Sequence, residues 1–294
     1  MRPTKALLFL TFAAPLAAQT PAILPPSPIL SLSIEEVKPG KGQAHATMEE
    51  GWAVAYARMK LPYYNFAFSR INGPDEMWYV QPWVSYTQMA DAQKDYAKAA
   101  PEIGAALGAF AAREAEYLER HRSMFAEFRP EFSLGDSIDF GSVHGYKTIV
   151  YRVPFTHTQD FQSAAKTWVA AAKRAGEKRA LLTYEVTEGA AGVGMMFLFI
   201  PFKSIAEYDG FAAEDARIVG AMTADERDAF FKSVNSFSGS ESFTLMLSAE
   251  QSYVPASFAQ ADPDFWKSSA VFIAQAKSKK AAVTQAGTAK KKGQ

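Results

Sequence analysis

Residues 187–200, TEGAAGVGMMFLFI, contain three closely spaced glycines. A glycine-rich loop of this kind could hold a phosphate group. Such a loop needs the N-terminus of a helix directly behind it, because the free N–H groups there receive the anion. Gly189, Gly192 and Gly194 are instead followed by MMFLFI, an apolar run typical of a strand. We therefore interpret the glycines as a hairpin connection between two strands.

The sequence contains none of the motifs HExxH, GxxxxGKS/T or GxSxG, and it has no cysteine. Metalloproteases, nucleotide hydrolases, serine esterases and zinc ribbons depend on those residues for their chemistry. These four classes are therefore disfavoured, and we predict neither a metal site nor a cofactor.

Two pairs of adjacent acids, Glu35–Glu36 and Glu49–Glu50, are the groups best suited to general acid and base catalysis. Neighbouring residues on a strand point to opposite faces, and neighbouring residues on a helix lie about 100° apart. Neither pair can therefore converge on one substrate atom, and we interpret both pairs as solvated charge.

The sequence has four histidines, His45, His121, His144 and His157, which fall in different predicted elements. A solvated or structurally hydrogen-bonded histidine is the default interpretation for each. His45 near the start of a helix and His121 near the end of another are of most interest, because helix ends rim the opening between helices and sheet.

An internal repeat specifies the elements that must position these residues. A shift of 116 residues aligns Trp52 with Trp168, Arg58 with Arg174, and Gly73 with Gly189. Each copy begins with a strand-like run, ILSLSIEEV or YKTIVYRV, followed by a helical pattern and two aromatic-rich strands. A second helical region, residues 101–121 or 213–234, and a last strand, residues 123–128 or 242–247, complete each copy.

The element order is therefore β-α-β-β-α-β twice, which is the ferredoxin-like arrangement of an antiparallel sheet with helices on one face. The hairpin strands are apolar in both alternating phases, which indicates that both faces of each sheet are buried. We predict an α+β fold in which two fused ferredoxin-like βαββαβ repeats pack sheet to sheet as an eight-stranded, pseudo-dimeric α/β barrel. Two independent ferredoxin-like domains are the alternative.

The ends of the chain differ in composition from its body. A short basic start, an apolar run and Ala17–Ala18 predict a signal peptide over residues 1–18, hence export to a periplasmic or extracellular location. The remaining predicted segments are a proline-rich, unpacked leader (19–28), the first repeat (29–138), the second repeat (139–258), a C-terminal extension (259–276) and a disordered Lys-rich tail (277–294). No transmembrane span is predicted.

The formal charge is zero, but eight of the 31 basic residues lie in the two ends, which leaves 23 against 31 acidic residues in the body. An acidic body binds polyphosphate poorly, so no nucleic-acid partner is predicted. The oligomeric state stays open.

The opening EEVKPGKGQAH, the hairpin FAFSRING…MWYVQPW and the same plan in residues 146–253 are similar to the dimeric α/β-barrel superfamily in tandem, single-chain form. NIPSNAP-like and antibiotic-biosynthesis-monooxygenase-like domains resemble the chain most. The resemblance implies a range of functions, from cofactor-free oxygenases and isomerases to haem enzymes. Haem-binding relatives supply an axial histidine from the helical side, and no motif here marks such a residue.

Differences between the two copies suggest where function lies. Asn65, Arg70, Gln81 and Ser85 align at the same shift with Leu181, Val186, Phe197 and Pro201. A buried polar group without a partner costs roughly 1–3 kcal/mol, so these side chains need partners, water or a ligand. We therefore predict a working pocket in the first repeat and a scaffold role for the second. The candidate ligand-binding residues are Tyr64, Asn65, Phe66, Arg70, Trp78, Gln81, Trp83, Tyr86 and His121.

The function that these residues favour is binding of a small, mostly apolar organic molecule in a barrel pocket of the first repeat. One alternative is a cofactor-free monooxygenase- or isomerase-like enzyme of the same superfamily. Another is a structural or envelope-associated module that acts through the Lys-rich tail.

Overall fold

The structure is a computed structural model that describes residues 23–190 and 192–273. The predicted signal peptide, residues 19–22 of the leader, residues 274–276 and the Lys-rich tail lie outside the described residues. No helix within the described part of the chain is long and apolar enough to cross a membrane.

The described residues form ten strands, eight of which close into an antiparallel barrel. The strands are β1 (Ile23–Leu24), β2 (Ile29–Val37), β3 (Asn65–Arg70), β4 (Glu76–Trp83), β5 (Leu118–Phe128), β6 (Ile138–Asp139), β7 (Gly145–Val153), β8 (Leu182–Glu188), β9 (Gly194–Phe202) and β10 (Gly239–Tyr253). The barrel order is β10-β3-β4-β2-β5-β8-β9-β7, and β1 pairs separately with β6. Closure leaves no free edge in the barrel.

Helices cover the outside of the barrel. They are α1 (Gly42–Met59), α2 (Tyr86–Tyr117), α3 (Thr158–Arg174), α4 (Tyr208–Gly220), α5 (Ala224–Val234), α6 (Ala256–Ala261) and α7 (Pro263–Trp266). The first half (residues 29–138) supplies α1 and α2, and the second half (residues 139–258) supplies α3, α4 and α5. The fold is thus a mixed α+β fold built on one eight-stranded barrel.

Successive side chains along each strand point alternately into the barrel interior and toward the helices. On β2, Leu30, Leu32 and Ile34 point inward into the main core, whereas Ile29 packs on the helical side. Because both faces are covered, both phases of the hairpin strands can be apolar, as the sequence predicts.

Two predicted helical regions have different boundaries in the structure. Region 101–121 belongs to α2, which begins earlier at an N-cap, Ser85, whose side chain accepts from Gln88 N. It ends at Tyr117, because Leu118–Phe128 pairs with β2 as a strand. The prediction of His121 at a helix end is therefore wrong. Region 213–234 is divided, since Thr223 and Glu226 form a capping box that starts a new helix.

The leader and the C-terminal extension cover one end of the barrel. Pro26 is buried, and the Tyr184 hydroxyl donates a 3.0 Å hydrogen bond to Ser27 O. Trp266 is fully buried and donates its indole N–H to Gly141 O at 2.8 Å. The prediction of an unpacked leader is therefore wrong for Leu24, Pro26 and Ser27, whereas Ile23, Pro25 and Pro28 are exposed.

Gly189 and Gly192 lie in the connection between β8 and β9, and Gly194 is the first residue of β9. Gly189 has φ +88° and Gly192 has φ +74°, conformations that glycine adopts without the strain of a Cβ. The interpretation as a hairpin connection is confirmed.

Candidate functional site

A buried group of ionisable side chains lies between the sheet and helix α1 of the first half. Glu35 on β2 and Tyr79 on β4 point outward from the barrel, and α1 supplies His45 and Glu49 one turn apart. His45 Nε2 lies 2.8 Å from Glu35 Oε2. We call Glu35, His45, Glu49 and Tyr79 the acid–histidine cluster.

Water has little access to this cluster. The relative exposure is 1% for His45, 5% for Glu35 and 7% for Glu49. The interpretation of both acid pairs as solvated charge is therefore wrong for one member of each pair. The buried acids, Glu35 and Glu49, each lie beside residues of another element and not beside their neighbour in sequence.

Burial and electrostatic repulsion perturb the cluster strongly. Burial, and after it the charge of Glu35, raises the pKa of Glu49 from 4.5 to about 8, while contact with the Tyr79 hydroxyl opposes the rise. Burial, and after it the charges of Glu49 and Glu35, raises the pKa of Tyr79 well above its ordinary value. Glu49 is therefore mostly protonated at neutral pH in the chain without a bound cation.

Two further ionisable groups border the cluster. His121 on β5 pairs in register with Glu35, so both side chains lie on the helical face of the sheet. Its Nε2 lies 2.7 Å from Ser33 Oγ. Burial, and after it the charge of Glu35, raises the pKa of Glu114 on α2, while His121 and His45 oppose the rise. His45 and His121 thus share one layer, although they do not contact each other through a hydrogen bond.

The strand registers reveal which second-half residues occupy the equivalent positions. Strands β2 and β7 are related by the shift of 116 residues, at both their first and last residues. Ser33 pairs with Tyr79, and its equivalent Ile149 pairs with Leu198. The second-half equivalents of Glu35, His45, Glu49 and Tyr79 are therefore Tyr151, Phe161, Ala165 and Leu198.

Contacts support this equivalence. The rings of Tyr151 and Phe161 lie 6.0 Å apart, where the first half has the contact between Glu35 and His45. The same registers correct one alignment made from the sequence. Gln81 pairs with Ser31, whose equivalent Lys147 pairs with Ile200, so Gln81 corresponds to Ile200 and not to Phe197.

An apolar cavity of about 180 Å³ takes the place of the cluster in the second half. It lies between the outward face of the sheet and helices α3, α4 and α5. Its walls include Tyr151, Phe161, Ala165, Trp168, Leu198 and Phe230. Burial raises the pKa of the Tyr151 phenol, which keeps it protonated at neutral pH.

Three charged residues border this cavity: Glu177, Arg179 and Asp215. Arg179 Nη2 donates to Glu177 at 3.1 Å and to Asp215 at 2.9 Å, and its Nε lies 2.8 Å from a Glu214 oxygen. Its Nη1 is buried and has no hydrogen-bond partner among the described residues. The residues around the cavity therefore include apolar walls and one arginine that has an unused hydrogen-bond donor.

The structure distributes the nine predicted ligand-binding residues among several places. Tyr64 and Phe66 line a cavity of about 130 Å³ at the covered end of the barrel, with walls from both halves. Arg70 and Trp78 lie at the opposite end, where Arg70 Nη1 donates to Glu76 at 3.1 Å.

The remaining predicted residues lie outside the barrel. Gln81 and Trp83 face a depression of about 270 Å³ beneath α2. Asn65 is buried at the start of β3, and Tyr86 is exposed at the start of α2. The predicted set is therefore not one pocket, because alternate strand residues face opposite sides of the barrel wall.

Comparisons with known proteins agree with the fold. No protein-family model and no curated protein matches the sequence. An anthrone oxidase-like protein of known structure has a TM-score of 0.52 and 15% identity, over 77% of this chain and 94% of that chain. A protein from Fusobacterium nucleatum subsp. nucleatum ATCC 25586, proposed to be a monooxygenase, has a TM-score of 0.48 and 16% identity. The match covers 76% of this chain and 93% of that chain.

A chlorite dismutase variant from Candidatus Nitrospira defluvii gives a TM-score of 0.41 and 9% identity, over 76% of this chain and 92% of that chain. At these identities the likeness concerns the fold. The eight-stranded barrel with external helices is therefore a fold that this chain shares with the anthrone oxidase-like protein.

Proposed function

We propose that this chain binds a small, mostly apolar organic molecule in the second-half cavity between α3 and the sheet. The observation that carries the proposal is the pairing of a cavity of about 180 Å³ with a buried, unpartnered Arg179 Nη1. The sequence favours a barrel pocket of the first repeat. The proposal moves to the second half because Arg179 lines the cavity there, whereas the larger depression of about 270 Å³ beneath α2 has no buried, unpartnered polar side-chain atom among its described lining residues.

The size and lining of the cavity define the ligand class. Engineered apolar cavities of about 150 Å³ bind benzene, so this cavity suits a molecule of one ring or two compact rings. The unused N–H of Arg179 favours a ligand oxygen that accepts a hydrogen bond, as in a phenol or a ketone. Three acids already surround that arginine, so a negatively charged ligand is disfavoured.

A cavity-filling substitution tests this proposal. Ala165→Leu places a larger side chain in the cavity wall, whereas Ala170→Leu adds the same atoms on the exposed side of the same helix. Fluorescence titration with 1-naphthol should show binding to the wild type and to the Ala170 variant, with affinity lowered at least tenfold by Ala165→Leu. Equal affinity in all three proteins would exclude this cavity as the site.

Native mass spectrometry of the protein purified from its natural host supplies the ligand's identity. We expect a bound organic molecule in the wild type that is lost from the Ala165→Leu variant. Oxygen uptake with one-ring and two-ring phenols then separates a binding protein from an oxygenase. Turnover that Ala165→Leu abolishes and Ala170→Leu preserves would favour the enzyme.

The tandem architecture and export also belong to this proposal. The shared bounds of β2 and β7 support two fused βαββαβ repeats, whose helix-to-sheet layers have diverged. Export is supported by the three-part N-terminus alone. The mass of the mature protein from a cell-envelope or culture fraction should correspond to a chain that starts at Gln19.

A further inference from the structure

We propose that Glu35, His45 and Glu49 form a binding site for one divalent transition-metal cation. Each residue offers one ligand atom, and these three atoms all lie within 4.8 Å of one another. They come from a strand and from two successive turns of α1, both held in place by the barrel. Ligands on such rigid elements are positioned before the metal arrives.

The cluster holds two carboxyl groups but only one basic side chain. Two carboxyl groups are buried together, and no lysine or arginine of the described residues forms an ion pair with Glu35 or Glu49. Buried charges in proteins are generally paired or coordinate a metal. His45 contacts Glu35 alone, and a divalent cation that replaces the Glu49 proton would bind to all three side chains.

A second observation points to a ligand at this place. The Tyr79 hydroxyl is buried close enough to Glu49 to lower the pKa of that carboxyl, yet the two groups do not meet at good hydrogen-bond geometry. Tyr79 is itself more than nine-tenths buried. A water or substrate atom on the cation would give this hydroxyl a partner, as outer-sphere groups do in metal sites.

The donor set restricts the kind of metal. One imidazole nitrogen and two carboxylate oxygens suit Zn²⁺, Fe²⁺, Mn²⁺ or Co²⁺, whereas Mg²⁺ and Ca²⁺ prefer oxygen ligands alone. Three protein ligands leave at least one coordination position open. The site would therefore have room for a water molecule or a small ligand.

The second half provides an internal contrast. Tyr151, Phe161, Ala165 and Leu198 occupy the equivalent positions and offer no metal-binding carboxylate or imidazole. We therefore expect one cation for each chain, although the architecture is repeated.

Calorimetric titration of the untagged, EDTA-treated full chain with ZnCl₂ and MnCl₂ tests the proposal. We expect one site in the wild type, with affinity lowered at least about 100-fold in Glu49→Gln, Glu35→Gln and His45→Gln. Glu50→Gln, at the next position on α1, and His144→Gln, outside the cluster, should bind as the wild type does. Absence of binding by the wild type, or equal losses in the controls, would overturn the proposal.

A measurement on the wild type keeps the test independent of variant folding. X-ray absorption of the zinc-loaded protein should show a first coordination sphere of oxygen and nitrogen, with scattering from one imidazole. A sphere without imidazole, or one with several, would assign the zinc to other residues. Neither result depends on a ligand in the second-half cavity.

Discussion

Replacing Glu49 by glutamine should change how the stability of the metal-free protein depends on pH. Burial, and after it the charge of Glu35, raises the pKa of Glu49 to about 8 in the folded chain, against 4.5 for the unperturbed group. Between these two values the folded state retains a proton that the unfolded state has released. The free energy of unfolding therefore falls as pH rises through this window.

The size of the effect follows from the shift in pKa. One pKa unit corresponds to about 1.4 kcal/mol, and most of the shift is expressed between pH 5 and pH 8. This group alone should lower the free energy of unfolding by an amount on the order of 3 kcal/mol across that interval. Glutamine carries no titrating proton, so Glu49→Gln should gain stability relative to the wild type by that amount as pH rises.

Urea denaturation in EDTA at several pH values between 5 and 8 measures the difference. Glu50→Gln is the matched control, because it makes the same chemical change at the next position on the helix. Its free energy of unfolding should run parallel to that of the wild type. If the Glu49→Gln and wild-type values also ran parallel across this interval, the argument from burial and repulsion would be refuted.

Four other substitutions test the fold. Trp266→Ala should lower the free energy of unfolding, measured by urea denaturation, by about 3–5 kcal/mol. The indole is fully buried and donates a hydrogen bond to Gly141 O. Gly189→Ala should lower the melting temperature more than Gly192→Ala, since both need positive φ but a Cβ at Gly189 would also collide with Ser123 O. Ser85→Ala removes the cap of α2 and should cost about 1 kcal/mol, measured by the same urea titration.

Strand and helix positions in the two halves could be predicted from the repeat. The run ILSLSIEEV coincides with β2, and the shift of 116 residues places its partner on β7. The shift of 116 residues fails within the hairpin, because β9 lies three residues further along the chain than that shift from β4 predicts. An ungapped comparison cannot detect such an offset, because apolar strands look alike when moved by a few residues.

The boundary of α2 shows where local patterns stop being informative. Residues 118–121, LERH, continue the charged pattern of the preceding helix, and nothing in their composition favours a strand. They become part of β5 because β2 offers unpaired backbone groups along its length. Tertiary pairing thus overrides local helix preference.

The acid–histidine cluster could have been found in part from spacing. His45 and Glu49 are four residues apart on a predicted helix, which places them on one face. Glu35 occupies the same phase of β2 as Ile29, which packs on the helical side. Only the packing of α1 on β2 shows that these two faces meet.

The barrel explains why the two halves can differ so much outside while remaining similar inside. Trp78 and Phe197 occupy equivalent inward positions, and their rings lie 5.5 Å apart in a shared core. A substitution in this core affects the packing of both halves, since residues of both halves belong to one cluster of buried side chains. Each outward layer is enclosed by its own helices, so one can hold ionisable groups while the other keeps a cavity. Changes at Glu49 should therefore leave 1-naphthol binding intact, and Ala165→Leu should leave the metal affinity unchanged.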